Sequence, residues 1–363
     1  MIYYHHGGGV MGNKTEGKND LLIQLIESQL KPNVKAIDAE AFYAEAFLKS
    51  LGEKGFFLSE EEQAFDTYFT EMNIIREVAK VCMTTAFCLW CHFAALIYVR
   101  KTPNLQLKEK MLPFLEKGEV LGSTGLSNAM KYYAGIEKLH LQAKPADGGY
   151  VLSGRLPAVS NLGKDHWFGV IANVEENKRI MLFVSSSVEG LELKERTEFL
   201  GVNGSATHAC TFNDVFIPNE WIVTEDADSF INSIRPVIVL YQIPLGLGVT
   251  EASIDGIEKV KMSKNGWNQF LKLQPHELTN ELNEIEQRVG KLYRQNEINW
   301  KEIASMRLDT VYLTLKTVHA SMLHHGSSGY VRESDPARQL REAYFLANLT
   351  PTLQQLEKVV HPS

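Results

Sequence analysis

The residues of this chain that could do chemistry fall into a few small groups. His92 closes the run MTTAFCLWCH, in which Cys88 and Cys91 stand at CxxC spacing. A neutral imidazole can donate or accept a proton near pH 7, and a CxxC pair can cycle between dithiol and disulfide. No strand precedes the pair and its neighbours are apolar, so the thiols read as buried and inert. His92 has two readings, a satisfied core histidine or a proton donor at a site. Further on come the pair Arg235-Pro236, the histidines His324 and His325 beside Gly326, and the triplet Thr350-Pro351-Thr352. His324 and His325 fit an interface or a helix C-terminus, where a cation complements the dipole. Thr350 followed by Pro351, just before TLQQLEKVV, reads as an N-cap with proline at the first helical position. His5 and His6 lack carboxylate or thiol partners, so no metal is expected.

The elements that must position these residues change texture along the chain. Up to about Lys117 apolar residues recur at helical spacing: Leu21, Leu22, Leu25, Ile26 and Leu30, then Ala39 to Leu51, then Glu60 to Phe69. From Val81 to Val99 there is no Asp, Glu, Lys or Arg. That length could span a bilayer, but Thr84, Thr85 and His92 lie within it and no second span is evident, so it reads as a helix buried on all sides. From Val120 to about Val223 the pattern is β-rich, with two strands joined at Asp147-Gly148-Gly149 and further runs in HWFGVIANV, RIMLFVSSS and THACTFNDVFIP. Beyond Asp226 helices return, with Leu278, Leu282, Ile285, Val289 and Leu292 on one face and Leu308, Val311, Leu315 and Met322 on another. The expected organisation is a mobile leader over 1–18, an α-helical domain over 19–119, a β domain over 120–224 and a helical bundle over 225–363.

Composition narrows the function. The chain has 363 residues, 44% hydrophobic and 22% charged, with a net charge of −7, which is ordinary for a soluble globular protein with a sizeable core. An acidic balance argues against nucleic acid, whose backbone calls for a surplus of lysine and arginine. Four cysteines are too few for a disulfide framework, so a reducing cytoplasm is the expected compartment. No secretory signal and no membrane partner are expected.

The order helical domain, β domain, helical bundle accompanies motifs that resemble the acyl-CoA dehydrogenase family of flavoproteins over nearly the whole length. KEKMLPFLEKGEVLGSTGLS is similar to the family's passage into the first β strand, and GGYVLSGRLPAVSNLGKDHWFGVIANV to the stretch against the flavin. FLGVNGSATHACTFNDVFIPNEWIV resembles the exit from the β domain, and GSSGYVRESDPARQLREA the late glycine turn and arginine-rich helix start. The resemblance implies an α+β fold with an N-terminal all-α domain, a central β domain and a C-terminal four-helix bundle. It further implies FAD, with FMN as the smaller alternative, an acyl-CoA substrate, and assembly as a homodimer or homotetramer through the bundle.

Dehydrogenation next to a thioester needs a carboxylate on one side of the substrate and the flavin on the other. The family's two base positions fall at Thr350 and at Ile234, ahead of Arg235-Pro236, and neither holds an acid. The implied cofactor positions are Thr124, Gly125, Leu126 and Ser127, then Ala158 in place of a stacked tryptophan, Ser160 as the hydroxyl near the flavin, and Thr352. Arg235 is the implied substrate-binding residue. At the dinucleotide end Met262, Asn265, Gly266 and Leu323 replace the family's Arg, Phe-Gly and Gln. Loss of such a charge-assisted phosphate contact costs roughly 1.5–3 kcal/mol. Three functions compete: an acyl-CoA dehydrogenase-like oxidoreductase of CH–CH groups without the usual Glu; a reductase-fed flavin monooxygenase of the same fold, for which His92 is the candidate catalytic residue; and a non-catalytic binding protein.

Overall fold

The computed structural model describes residues 11–59, 64–175, 178–262, 264–296 and 298–361. The first helices are α1 (Met11–Leu25), continued by a π turn (Ile26–Leu30), α2 (Val34–Ala39), α3 (Glu45–Glu53), α4 (Ala64–Val81), α5 (Met83–Lys101) and α6 (Leu105–Glu116). Met11 to Lys18 are therefore helical, where the sequence suggested a leader; His5 and His6 lie outside the described residues. Of the helix expected from Ala39 to Leu51 only the part from Glu45 forms α3; Ala39 ends α2, and the left-handed φ of 57° at Ala41 lies in the non-helical segment between them.

Every residue of α5 from Met83 to Val99 is buried. It starts after Cys82, whose extended backbone breaks the helical path from α4, so the charge-free stretch straddles two helices. By length and composition alone α5 could cross a membrane, and so could 227–260; the most apolar windows are 94% and 89% buried inside the protein. The second stretch corrects the sequence expectation of a single span, and it is interrupted by the turn at Tyr241.

The β layer comprises β1 (Gly122–Thr124), β2 (Leu141–Ala146), β3 (Gly149–Val159), β4 (Trp167–Glu175), β5 (Lys178–Ser185), β6 (Leu191–Glu195), β7 (His208–Pro218) and β8 (Ile222–Thr224), with the short helix α7 (Ser127–Tyr133) after β1. One mixed sheet runs β6-β7-β3-β2-β4-β5-β8, and β1 pairs parallel with β4. Its core, with Leu152, Phe168, Val170, Leu182 and Val215, is separate from the helical core.

The remaining helices are α8 (Ala227–Leu240), α9 (Ile243–Val260), α10 (Pro275–Gln295), α11 (Trp300–His325), α12 (Asp335–Asn348) and α13 (Leu353–Val360). Asp226 caps α8 by accepting from the Ser229 N–H at 3.1 Å. Helices α9 and α11 approach closely enough that a Cβ on Gly246 would stand 2.5 Å from Thr310. The buried hydroxyls of Thr310, Thr314 and Thr317 donate to carbonyls one turn back, so this polar stripe is satisfied within its own helix.

Candidate functional site

The site lies where the ends of β1 and β3 meet the loop between α12 and α13. The start of β1 is gripped by side chains. His92 Nδ1 accepts from the Gly122 N–H at 2.9 Å, and Asn161 Nδ2 donates to the Gly122 carbonyl at 2.8 Å. A Cβ on Gly122 would meet Ala95 Cβ at 2.3 Å, so only glycine lets β1 lie this close to α5. Asn161 itself has a left-handed φ of 58° and accepts from the Tyr43 hydroxyl at 2.6 Å.

The far end of β1 carries the edge of the candidate site, where Thr124 and Ser160 are half-buried and Ser127 is exposed. Thr124 forms an antiparallel bridge with Ser160, and Ser123 Oγ donates to the Ser160 carbonyl. The Tyr98 hydroxyl donates to Thr124 Oγ1 at 2.7 Å, leaving the threonine hydrogen free to donate outward. The Gly125 N–H bonds the Gly169 carbonyl at 2.8 Å, and a Cβ here would press Leu156 and Val170 at 3.0 Å. Ser160 Oγ lies 2.7 Å from Thr207 Oγ1, which lies 2.8 Å from Ser205 Oγ, a short chain of hydroxyls behind the edge. Ser127, at the start of α7, places its Oγ 3.2 Å from Thr350 Oγ1. Three segments far apart in sequence, 124–127, 160 and 350, thus converge.

Thr350 does not cap α13, contrary to the sequence expectation. Thr352 does: its hydroxyl accepts from the Gln355 N–H at 3.4 Å, and Gln355 Oε1 accepts from the Thr352 N–H at 2.7 Å. Pro351, joined to Thr350 by a cis peptide bond, precedes the cap. The Thr350 carbonyl accepts from Gln242 Nε2 at 2.9 Å, and Gln242 Oε1 accepts from Arg307 Nε at 2.9 Å. Arg307 is fully buried, its Nη2 donates to the Leu346 carbonyl at 2.8 Å, and its Nη1 has no hydrogen-bond partner. Burial alone, with no neighbouring anion, pulls it down to about 9. Sequence reasoning missed Tyr98, Asn161, Thr207, Gln242 and Arg307; apart from Asn161, next to Ser160, no local spacing marks them.

The other implied residues stand apart. His92 is fully buried against Phe57, with ring centroids 4.3 Å apart, and its Nε2 has no hydrogen-bond partner. Burial, followed by the charge of Arg100, pushes it down to about 3. With Nδ1 committed to the Gly122 amide, it is a neutral anchor for β1. Ile234 is buried in α8. Arg235 lies over the Trp300 ring at 4.6 Å, its Nε without a partner and its pKa lowered by burial. Ala158 is exposed on β3. Cys88 and Cys91 are buried, free and pushed upward by burial, as inert thiols are.

At the other end of α9, Met262, Trp267 and Phe270 are exposed, and the chain takes left-handed φ at Asn265 and Gly266. Asn268 Nδ2 donates to the Val260 and His324 carbonyls, both at 3.0 Å. His324 is buried with Nε2 2.9 Å from the Leu273 carbonyl, so it anchors this loop and is not an exposed interface group.

Residues 19–119 match the acyl-CoA dehydrogenase N-terminal domain. Over these residues the chain is similar to the acyl-CoA dehydrogenase family. A probable acyl-CoA dehydrogenase of Mycobacterium tuberculosis is 25% identical over 247 residues, covering 63% of this chain and 62% of that protein. The match thus spans about three-fifths of the relative's length. Among solved structures, a glutaryl-coenzyme A dehydrogenase in complex with glutaryl-CoA superposes with a TM-score of 0.87 at 16% identity, over 99% of this chain and 95% of that one. PigA with FAD and proline superposes with a TM-score of 0.79 at 15% identity, over 99% and 98% of the two chains. These likenesses are of fold.

Proposed function

We propose that this acyl-CoA dehydrogenase-family chain is a flavin-dependent oxidoreductase that acts on the CH–CH bond of an acyl thioester without the family's usual carboxylate base. The observation that carries the proposal is the convergence of Thr124–Ser127, Ser160 and Thr350 at one edge. Its outward hydroxyls, close-packed Gly125 and strand-end backbone fit the rim of an isoalloxazine ring, which is polar and planar. A flavin held there would supply hydride acceptance. The chain's own residues do the rest: Ser160 and Thr124 hold the edge through Thr207 and Tyr98, Gly125 permits close backbone approach, and Thr350 presents a hydroxyl where a carboxylate would take the α-proton.

FAD is the proposed cofactor, on the strength of PigA's bound FAD and the shared fold. The neutral, exposed Met262 favours FMN as the alternative. Arg235 is the proposed anchor for the thioester's polar portion, since a half-buried guanidinium over an indole retains unpaired donors. Burial of His92 weighs against the monooxygenase reading. Exposed Met262, Trp267, Phe270, Leu323, Tyr330 and Val331 support a homodimer or homotetramer built through the bundle. The buried free cysteines fit a reducing cytoplasm. The test is anaerobic mixing of flavin-loaded protein with acyl-CoA thioesters. Slow bleaching of the wild type, accelerated by Thr350→Glu, supports the proposal; no bleaching in either form refutes it.

A further inference from the structure

Shielded arginines in this protein are generally neutralised. Arg76 pairs with Glu251 at 2.8 Å and also with Glu286, Arg100 with Glu71 at 2.7 Å, and Arg338 with Glu342 at 2.8 Å. Arg307 is the fully buried exception among the described residues. Its contacts are the neutral Gln242 amide and the Leu346 carbonyl, one donor is orphaned, and no carboxylate from α8, α9, α11 or α12 offsets its charge. An unpaired buried cation costs stability. Replacing both partners by apolar groups would relieve that cost, so its retention calls for a reason beyond packing. One of the two partners of its side chain, Gln242, extends the hydrogen-bonded path outward, since its amide donates to the carbonyl of half-buried Thr350.

We propose that Arg307 is a positioning residue for the Thr350 junction: through Gln242 it fixes the Thr350 carbonyl, and its uncompensated charge makes the junction favour negative charge on whatever binds there. This deepens, and rests on, the reading of the junction as the thioester site. A thioester whose α-carbon loses a proton gathers negative charge on its carbonyl oxygen. With no carboxylate at the junction the proton passes to solvent water, and the buried cation lowers the cost of the negative charge left on the thioester oxygen. The ligand class follows: a group that is anionic, or becomes so, against Thr124–Ser127 and Thr350.

The experiment titrates a reporter at the junction in the flavin-free full-length protein. Thr350→Cys is made alone and combined with Arg307→Met or Arg307→Gln, and thiol pKa is read from the pH profile of alkylation by iodoacetamide. Folding is checked by circular dichroism. Arg307→Gln retains an N–H donor for the Leu346 carbonyl and serves where Arg307→Met does not fold. A nearby cation lowers a thiol pKa, so neutralising Arg307 raises it by about one pH unit, which at pH 7.5 slows alkylation up to about tenfold. A merely structural arginine leaves the thiol of the folded Gln variant unmoved, and an unchanged profile overturns the proposal. Because no flavin is present, a shifted thiol in a protein that takes up no flavin refutes the cofactor reading and leaves this one standing.

Discussion

The junction at the start of α9 and the loop at its end are built to opposite standards. Around Thr350, the half-buried hydroxyls are backed by Tyr98, Thr207, Gln242 and Arg307, and a close-packed Gly125 fixes the strand end. About 27 Å away, at 1.5 Å per residue along α9, the loop 264–270 is pinned from behind by Asn268 but turns Met262, Trp267 and Phe270 to the surface. The proposed function asks the first region to hold a planar polar group in one orientation. The second presents neutral Met262 where the resemblance implies an arginine, beside the exposed rings of Trp267 and Phe270.

The largest effect that would break this contrast is at position 350. Thr350→Glu supplies a base where none stands, and a positioned base is worth about 10²–10⁴-fold; acyl-CoA-dependent flavin bleaching rises by that order. Robust bleaching by the wild type would mean that an acid elsewhere serves the junction.

Next in size is the acid response of the His92 anchor. Its folded pKa of about 3 lies below the ordinary 6.5, so the neutral form is native and the unfolded chain binds the proton first. Stability is fully present above about pH 6.5 and is lost as pH falls from there toward 3. Between pH 7 and 5 that amounts to about 2 kcal/mol. His92→Asn lacks this slope, and urea denaturation at both pH values reports the difference. Equal slopes in the two proteins would place the imidazole in water.

Met262→Arg tests the other end. A restored charge-assisted phosphate contact tightens FAD by about tenfold, roughly 1.5 kcal/mol, and leaves FMN unchanged. Equal gains for both flavins would move the loop away from the pyrophosphate. The smallest effect belongs to the true cap: Thr352→Ala lowers stability by about 1 kcal/mol with little change in flavin affinity, whereas the capping role first suggested for Thr350 predicts that loss at position 350.

Much of the architecture is legible because periodicity changes from helical to alternating and back, and because Leu278, Leu282, Ile285, Val289 and Leu292 all face the core of the bundle. The site is legible only through resemblance: nothing in the spacing of Ser127, Ser160 and Thr350 announces that they meet. Two ambiguities have a common physical origin. Thr350-Pro351 and Thr352 both suit the start of a helix, and local propensity cannot say which threonine the tertiary contacts leave free to cap. His92 offers the same two-fold choice, and the distant Gly122 amide decides it. Arg307 is invisible because charged residues are normally exposed, and only the packed bundle shows that this one is not.

The most direct measurement is a titration of the purified full-length protein with FAD and with FMN, followed by absorbance and flavin fluorescence. An intact ring site with a weakened diphosphate contact predicts saturable uptake of both flavins with affinities within about tenfold of each other, and loss of both on Gly125→Val. A protein that takes up neither flavin, or that binds FAD tightly while refusing FMN, would contradict it.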